Sequence, residues 1–147
     1  NSIFLSTGTT FVFGKFLKTI KNIKKNSDFY YLLPTSQIGG ILSRRFHGGV
    51  MFNQWQKKKV KSINKLLALY TIKELNKYSK YQTAVNLNLI IDGPFTKNKE
   101  FLFCLKQYKK NISIYYAMNK NSPSLGIAHL CNKKKIKLSL TDYYRKI

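Results

Sequence analysis

Acidic side chains are scarce in this sequence: five Asp and Glu stand against 27 Lys and Arg, a formal net charge of +22 over 147 residues. Two-metal phosphoryl chemistry needs several carboxylates converging on the ions. Asp28 and Asp142 fall near turns or the tail, Glu74 and Glu100 on expected helices, and only Asp92 ends an expected strand. One strand-end carboxylate does not hold such a site, and Asp92 reads as a cap for the turn that follows it. No catalytic residues are therefore assigned. The scarcity also points to a partner, because so many like charges repel one another in a compact state unless a polyanion neutralises them.

Cysteine and histidine are nearly as rare, at two each. Two cysteines, Cys104 and Cys131, do not make a disulfide framework. Zinc asks for about four nitrogen or sulfur ligands at paired spacing; His129 and Cys131 could share one side of a strand, but only His47 and Cys104 remain to complete a set. Cys104, between Phe103 and Leu105 on an expected helix, reads as a buried thiol. A Cys–His nucleophile pair lacks an orienting third group. No metal or cofactor is expected. No stretch reaches the roughly 18 apolar residues of a membrane span, and the basic residues are spread over every segment, so no membrane partner is expected either.

Only three of the cations are arginines, Arg44, Arg45 and Arg145; the rest are lysines, accompanied by much Asn, Ile, Tyr and Phe. These residues share AT-rich codons, which suggests an organelle or an AT-rich genome. The chain opens on Asn1 without an Arg-rich, Ser-rich amphipathic leader, as expected of a product made inside an organelle or of a trimmed form.

What is present is enough for one core: 44% hydrophobic and 14% aromatic residues in a single-domain length. Residues 3–13, rich in β-branched and aromatic side chains and broken at Gly8, read as two short strands or one bulged strand. Residues 15–27 read as a short basic helix or a long hairpin loop, and Phe29 to Leu33 as a strand stopped by Pro34. Ile63, Leu66, Leu67, Tyr70, Leu75 and Tyr78 follow helical spacing and predict a helix from about Ser62 to Ser79. Val85, Leu87, Leu89 and Ile91 alternate as one buried face of a strand. A second helix begins at Thr96 or Asn98, carries Phe101, Leu102, Leu105 and Tyr108, and stops near Asn111. Ile112 to Met118 supply a further strand, parallel to the previous one after a helical crossover. The fold class is α/β: one domain over residues 1–147, with a basic C-terminal extension from about 119.

Three groups of residues are the candidate contacts for phosphates. Two glycine pairs, Gly39-Gly40 and Gly48-Gly49, bracket Arg44 and Arg45 and suggest an open loop with accessible amides. Lys57, Lys58, Lys59 and Lys61 precede the first expected helix, where cations oppose the helix dipole unless phosphates arrive there too. Asn119, Lys120 and Ser122 form a polar loop, and Lys133, Lys134 and Lys135 a basic tail. Tyr30, Tyr31, Tyr115 and Tyr116 could stack on unpaired bases, although sheet packing and codon bias account for them more simply.

Taken in order, these fragments resemble one family, the universal ribosomal small-subunit protein eleven of the platform. Ser6-Thr7-Gly8-Thr9-Thr10-Phe11-Val12 stands where the family has a Ser-Phe-Asn-Asn-Thr strand. Lys57 to Lys61 stand for its basic turn before a helix. Ile91-Asp92-Gly93-Pro94-Phe95 stands for its strand ending in Gly-Pro-Gly, with Phe95 replacing the last glycine. Ile112 to Met118, Ser122-Pro123, His129, Cys131 and the tail lysines stand for its closing segments. The resemblance implies a mixed sheet with two main helices, a ribonuclease-H-like topology, and no enzymatic activity. It also implies binding to small-subunit ribosomal RNA, with neighbouring platform proteins and messenger RNA near the exit path as partners. The lysine-rich, AT-biased character implies a mitochondrial member. The rival expectations are a diverged nuclease of similar topology and a free basic RNA chaperone.

Overall fold

The computed structural model describes residues 2–17, 29–32, 40–79, 87–109, 111–118 and 144–147. They form a mixed α/β fold. The strands are β1 (Ser2–Ser6), β2 (Phe11–Leu17), β3 (Phe29–Leu32), β4 (Gly40–Phe46), β5 (Leu87–Asp92), β6 (Ile112–Ala117) and β7 (Tyr144–Lys146). The helices are α1 (Gly48–Lys57), α2 (Ile63–Ser79) and α3 (Lys99–Tyr108), with a 3-10 turn over Pro94–Lys97.

The strands make one sheet in the order β3-β4-β2-β1-β5-β6-β7. β1 lies antiparallel to β2 and parallel to β5, and β5 lies parallel to β6. The opening stretch is thus two strands joined through Gly8, and the expected parallel strand, helix and strand are present. β4 is antiparallel to β2 and therefore runs with β1.

Alternation decides which face is dry. Ile3 and Leu5 of β1, Phe11 and Phe13 of β2, Leu42 and Phe46 of β4, Leu89 and Ile91 of β5, and Ile112 and Ile114 of β6 enter one core. Leu67, Ala68, Ile72, Leu75 and Tyr78 of α2 meet them there with Phe101, Leu102, Cys104 and Leu105 of α3. Ile90, on the opposite face of β5, is 1% exposed as well. A strand flanked on both sides by parallel neighbours is commonly apolar on both faces. Aromatic rings fasten the centre, where Phe11 sits edge-on to Phe46, Phe95 and Phe101 at centroid distances of 5.1, 5.0 and 6.1 Å.

Three sequence expectations need correction. The segment from Gly40 to Gly49 is not a loop: residues 40–46 are β4, and Gly48 and Gly49 begin α1 in a buried position. A Cβ at Gly49 would stand 2.0 Å from the Gly8 carbonyl oxygen, and one at Gly48 2.6 Å from the Phe11 ring. These glycines let a helix start against the β1–β2 turn, where the Val50 N–H donates to the Thr9 carbonyl at 3.2 Å. A third helix, α1, accordingly joins the two expected. Finally, residues 144–146 are not loose tail but β7, paired antiparallel with β6.

Candidate nucleic-acid interface

β1 and β4 run the same way as β5 and β6, so the chain leaves β4 and β5 for helices at one edge of the sheet. α2 and α3 begin at this edge, and side chains tie their first turns together. Asn98 caps α3, its Oδ1 accepting the Phe101 N–H at 3.0 Å, while its Nδ2 donates to Asn64 Oδ1 at 2.7 Å. Asn64 Nδ2 in turn donates to Glu100 at 2.6 Å. The cap expected at Thr96 or Asn98 is thus Asn98, and α3 stops at Tyr108, three residues before the expected Asn111.

The lysine cluster occupies the turn between α1 and α2. Lys57 closes α1, Lys58 is its C-cap, and Lys59 adopts φ 52°. The Val60 N–H donates to the Trp55 carbonyl and the Lys59 N–H to the Gln56 carbonyl, both at 3.0 Å. This pair of bonds is the Schellman ending, which turns the chain through a left-handed residue. Ser62 also has positive φ, at 56°, and its carbonyl accepts the Leu66 N–H to start α2. Lys57, Lys58, Lys59 and Lys61 are exposed, and none of them is in an ion pair among the described residues. The expected opposition to the α2 dipole is partly relieved within the chain, because Lys57 to Lys59 also sit at the negative C-terminal end of α1.

The arginines go elsewhere. Arg44 points into the helix-covered face, where its guanidinium meets Glu74 of α2 at 2.8 Å; the two side chains are 12% and 4% exposed. Lys77 reaches the other Glu74 oxygen at 2.7 Å. Burial pushes the Glu74 carboxyl up, but the hydrogen bonds and charges of Lys77 and Arg44 outweigh this and hold it below its ordinary value. Glu74 lies eleven residues along from Ile63, about 16 Å by helical rise, so Arg44 is not gathered with the lysine turn. Arg45, next on the strand, is exposed on the opposite face. Asn119, Lys120, Ser122, Lys133, Lys134 and Lys135 lie outside the described residues, as do His129 and Cys131.

The structure adds cations that sequence reasoning passed over. Lys97 and Lys99 flank the Asn98 cap and so stand beside the first turn of α2, and Lys65 lies exposed on that turn. The sequence carries the signal: cations bracket this helix start as they do that of α2. Arg145 arrives from β7, directly across from Tyr116 on β6. Lys146 faces the other way, its Nζ 6.0 Å from the centre of the Tyr115 ring.

Carboxylates at this edge are engaged. Asp92 Oδ1 accepts the Gly93 N–H at 2.6 Å, in keeping with a turn cap. Gly93 has φ 96°, and a Cβ there would lie 2.0 Å from the Thr7 carbonyl oxygen. Thr7, 2% exposed, fills the space between β1 and β5, donating from both its N–H and its hydroxyl to the Asp92 carbonyl at 2.7 and 2.6 Å. No group of three metal-ligating side chains is found among the described residues. Cys104 is a buried free thiol, pushed up in pKa by burial and secondarily by the Glu100 charge. No helix among the described residues is long and apolar enough to cross a membrane.

The chain matches no protein-family model, and no curated protein matches it in sequence. In structure it is similar to a carbohydrate kinase from Novosphingobium aromaticivorans, with a TM-score of 0.65 at 14% identity. The superposition covers 99% of this chain and 43% of the kinase, so the chain spans less than half of that protein's length. At that identity the likeness is one of fold.

Proposed function

We propose that this protein is a structural, non-enzymatic RNA-binding subunit of the mitochondrial small ribosomal subunit, a divergent platform protein of the small-subunit protein eleven family. The observation that carries the reading is the α1–α2 turn, where Lys57, Lys58, Lys59 and Lys61 stand exposed with no carboxylate partner among the described residues, in a chain of net charge +22. Such a turn neutralises phosphates and gains affinity through counterion release.

Two further features support it. With the two edge strands β3 and β7 set aside as additions, the remaining order β4-β2-β1-β5-β6, antiparallel only at β2, fits the ribonuclease-H-like topology that the family resemblance implies. The carboxylates of Glu74 and Glu100 are each held by a partner on another element or helix turn, and one oxygen of Asp92 caps its own turn, which favours a scaffold over a nuclease. Ribosomal RNA is then the main partner, with platform proteins and messenger RNA near the exit path beside it.

Sedimentation of a mitochondrial lysate through a sucrose gradient tests the proposal. The protein is expected to travel with the small ribosomal particle and to be scarce in lighter fractions. Recovery mainly at the top of the gradient would favour a free RNA chaperone, and RNA cleavage with Mg²⁺ that is abolished by Asp92→Asn would favour a nuclease.

A further inference from the structure

Beyond the lysine turn, the same sheet edge holds a groove of about 610 Å³ lined by Asp92, Lys97, Tyr116, Met118 and Arg145, among others. A second hollow of about 410 Å³ shares Lys97 and Tyr116 with it and continues to Lys99 along α3. Volumes of this order suit a small ligand or a single nucleotide. The walls are of three kinds. Lys97 and Arg145 are exposed cations, and neither is in an ion pair among the described residues. Tyr116 is half-buried, packed partly on the core and partly lining the groove, with Arg145 as its cross-strand neighbour. Asp92 supplies a carboxylate that repels a phosphate and accepts from an exocyclic amine.

We infer that this groove binds one unpaired, amine-bearing nucleotide of RNA, its base against Tyr116 and its phosphate between Lys97 and Arg145. The inference rests on the RNA-binding reading above and names a second contact site for it. An aromatic ring beside cations is the arrangement by which proteins hold splayed bases, sequence-tolerantly and with strong salt dependence. An acidic peptide would use the cations but leave Tyr116 without a role and offer Asp92 no side-chain donor, so the nucleotide is the better fit.

The test compares two RNA hairpins by fluorescence anisotropy with the full chain, one fully paired and one with a single bulged adenosine. The wild type should bind the bulged hairpin roughly tenfold more tightly, the order expected of one stacked base. The double variant Lys97→Ala, Arg145→Ala, at exposed positions and checked for fold by circular dichroism, should lose that preference and still bind the paired hairpin. Lys57→Ala with Lys58→Ala should weaken both hairpins alike. Equal binding of both hairpins by the wild type, or a preference that survives in the double variant, sinks the groove proposal and leaves the RNA-binding reading standing. Binding to neither hairpin sinks that reading. A polyglutamate peptide whose binding depends on Lys97 and Arg145, with no preference for the bulge, reassigns the groove to an acidic protein segment and overturns the proposal.

Discussion

Lys59 holds a conformation that most side chains avoid. At φ 52° its Cβ crowds the following carbonyl, a strain of about 1–2 kcal/mol, and glycine is the usual residue at this position of a Schellman ending. Replacing Lys59 with Gly is expected to raise stability by about 0.5–1 kcal/mol, once the greater freedom of glycine in the unfolded chain is counted. The same change should lower the salt slope of RNA binding by roughly one unit. Urea unfolding and a salt titration of affinity read the two effects separately; an unchanged slope would remove Lys59 from the interface. Residue by residue, the sequence is legible where chemistry is local. Asn98 is a cap because its short side chain reaches back to the helix amides, and Asp92 caps its turn for a similar reason. Gly48 and Gly49 resemble loop residues in the sequence because the contact that requires them, with Gly8 and Phe11, lies about forty residues away in the chain.

Between elements, β4 is bound to α2 by the Tyr78 hydroxyl, which donates to the Leu42 carbonyl at 2.6 Å, and by Arg44 with Glu74, which Lys77 of the same helix also pairs. Nearly all of Glu74 is out of water, so its charge is tolerable only with these cations in place. Its folded pKa lies below the ordinary 4.5. The pair's contribution is therefore complete above that value and is lost as pH falls toward the lowered one. Glu74→Gln should destabilise the protein at neutral pH by about 3 kcal/mol and flatten the acid limb of the stability profile, as followed by urea midpoints across pH. A variant whose midpoint falls with acid as steeply as the wild type's would show that other groups govern that limb. Periodicity locates α2, α3, β5 and β6, whose apolar positions repeat cleanly. It misses α1, because a glycine pair at one end and lysines at the other imitate a loop, and it misses β7, because a strand of three residues has too few positions to show alternation. The ion pair is also out of its reach, since an arginine beside glycines looks solvated until the neighbouring helix is known.

For the molecule as a whole, the charge is arranged more unevenly than its total suggests. Arg44 and Lys77 are engaged by Glu74, while the α1–α2 turn and the ends of β5 and β7 present cations to solvent. Changing Lys57, Lys58, Lys59 and Lys61 together to Ala should cut RNA affinity and reduce the salt slope by up to about four units, one for each phosphate left without its cation. An affinity unaltered at every salt concentration would place the main RNA surface elsewhere. Fold class and the lysine turn can be read from sequence, because burial patterns and charge are written locally. The joining of Lys97, Lys99 and Arg145 at one edge cannot, because it depends on how distant strands pair.

That pairing also bears on how the chain reaches its folded state. β1 sits at the centre of the sheet between β2 and β5, and its Ser2 is in register with Asn88. The β1–β2 hairpin can form early, but the backbone groups on the other edge of β1 must wait for a strand more than eighty residues later. Closing so long a loop is slow, and folding rates fall as contacts become less local. Until β5 arrives, β1 therefore keeps one unpaired edge in a strongly cationic chain. The mutual repulsion that strains the finished protein would then act as its safeguard, keeping half-made copies apart until β5 arrives to close the sheet.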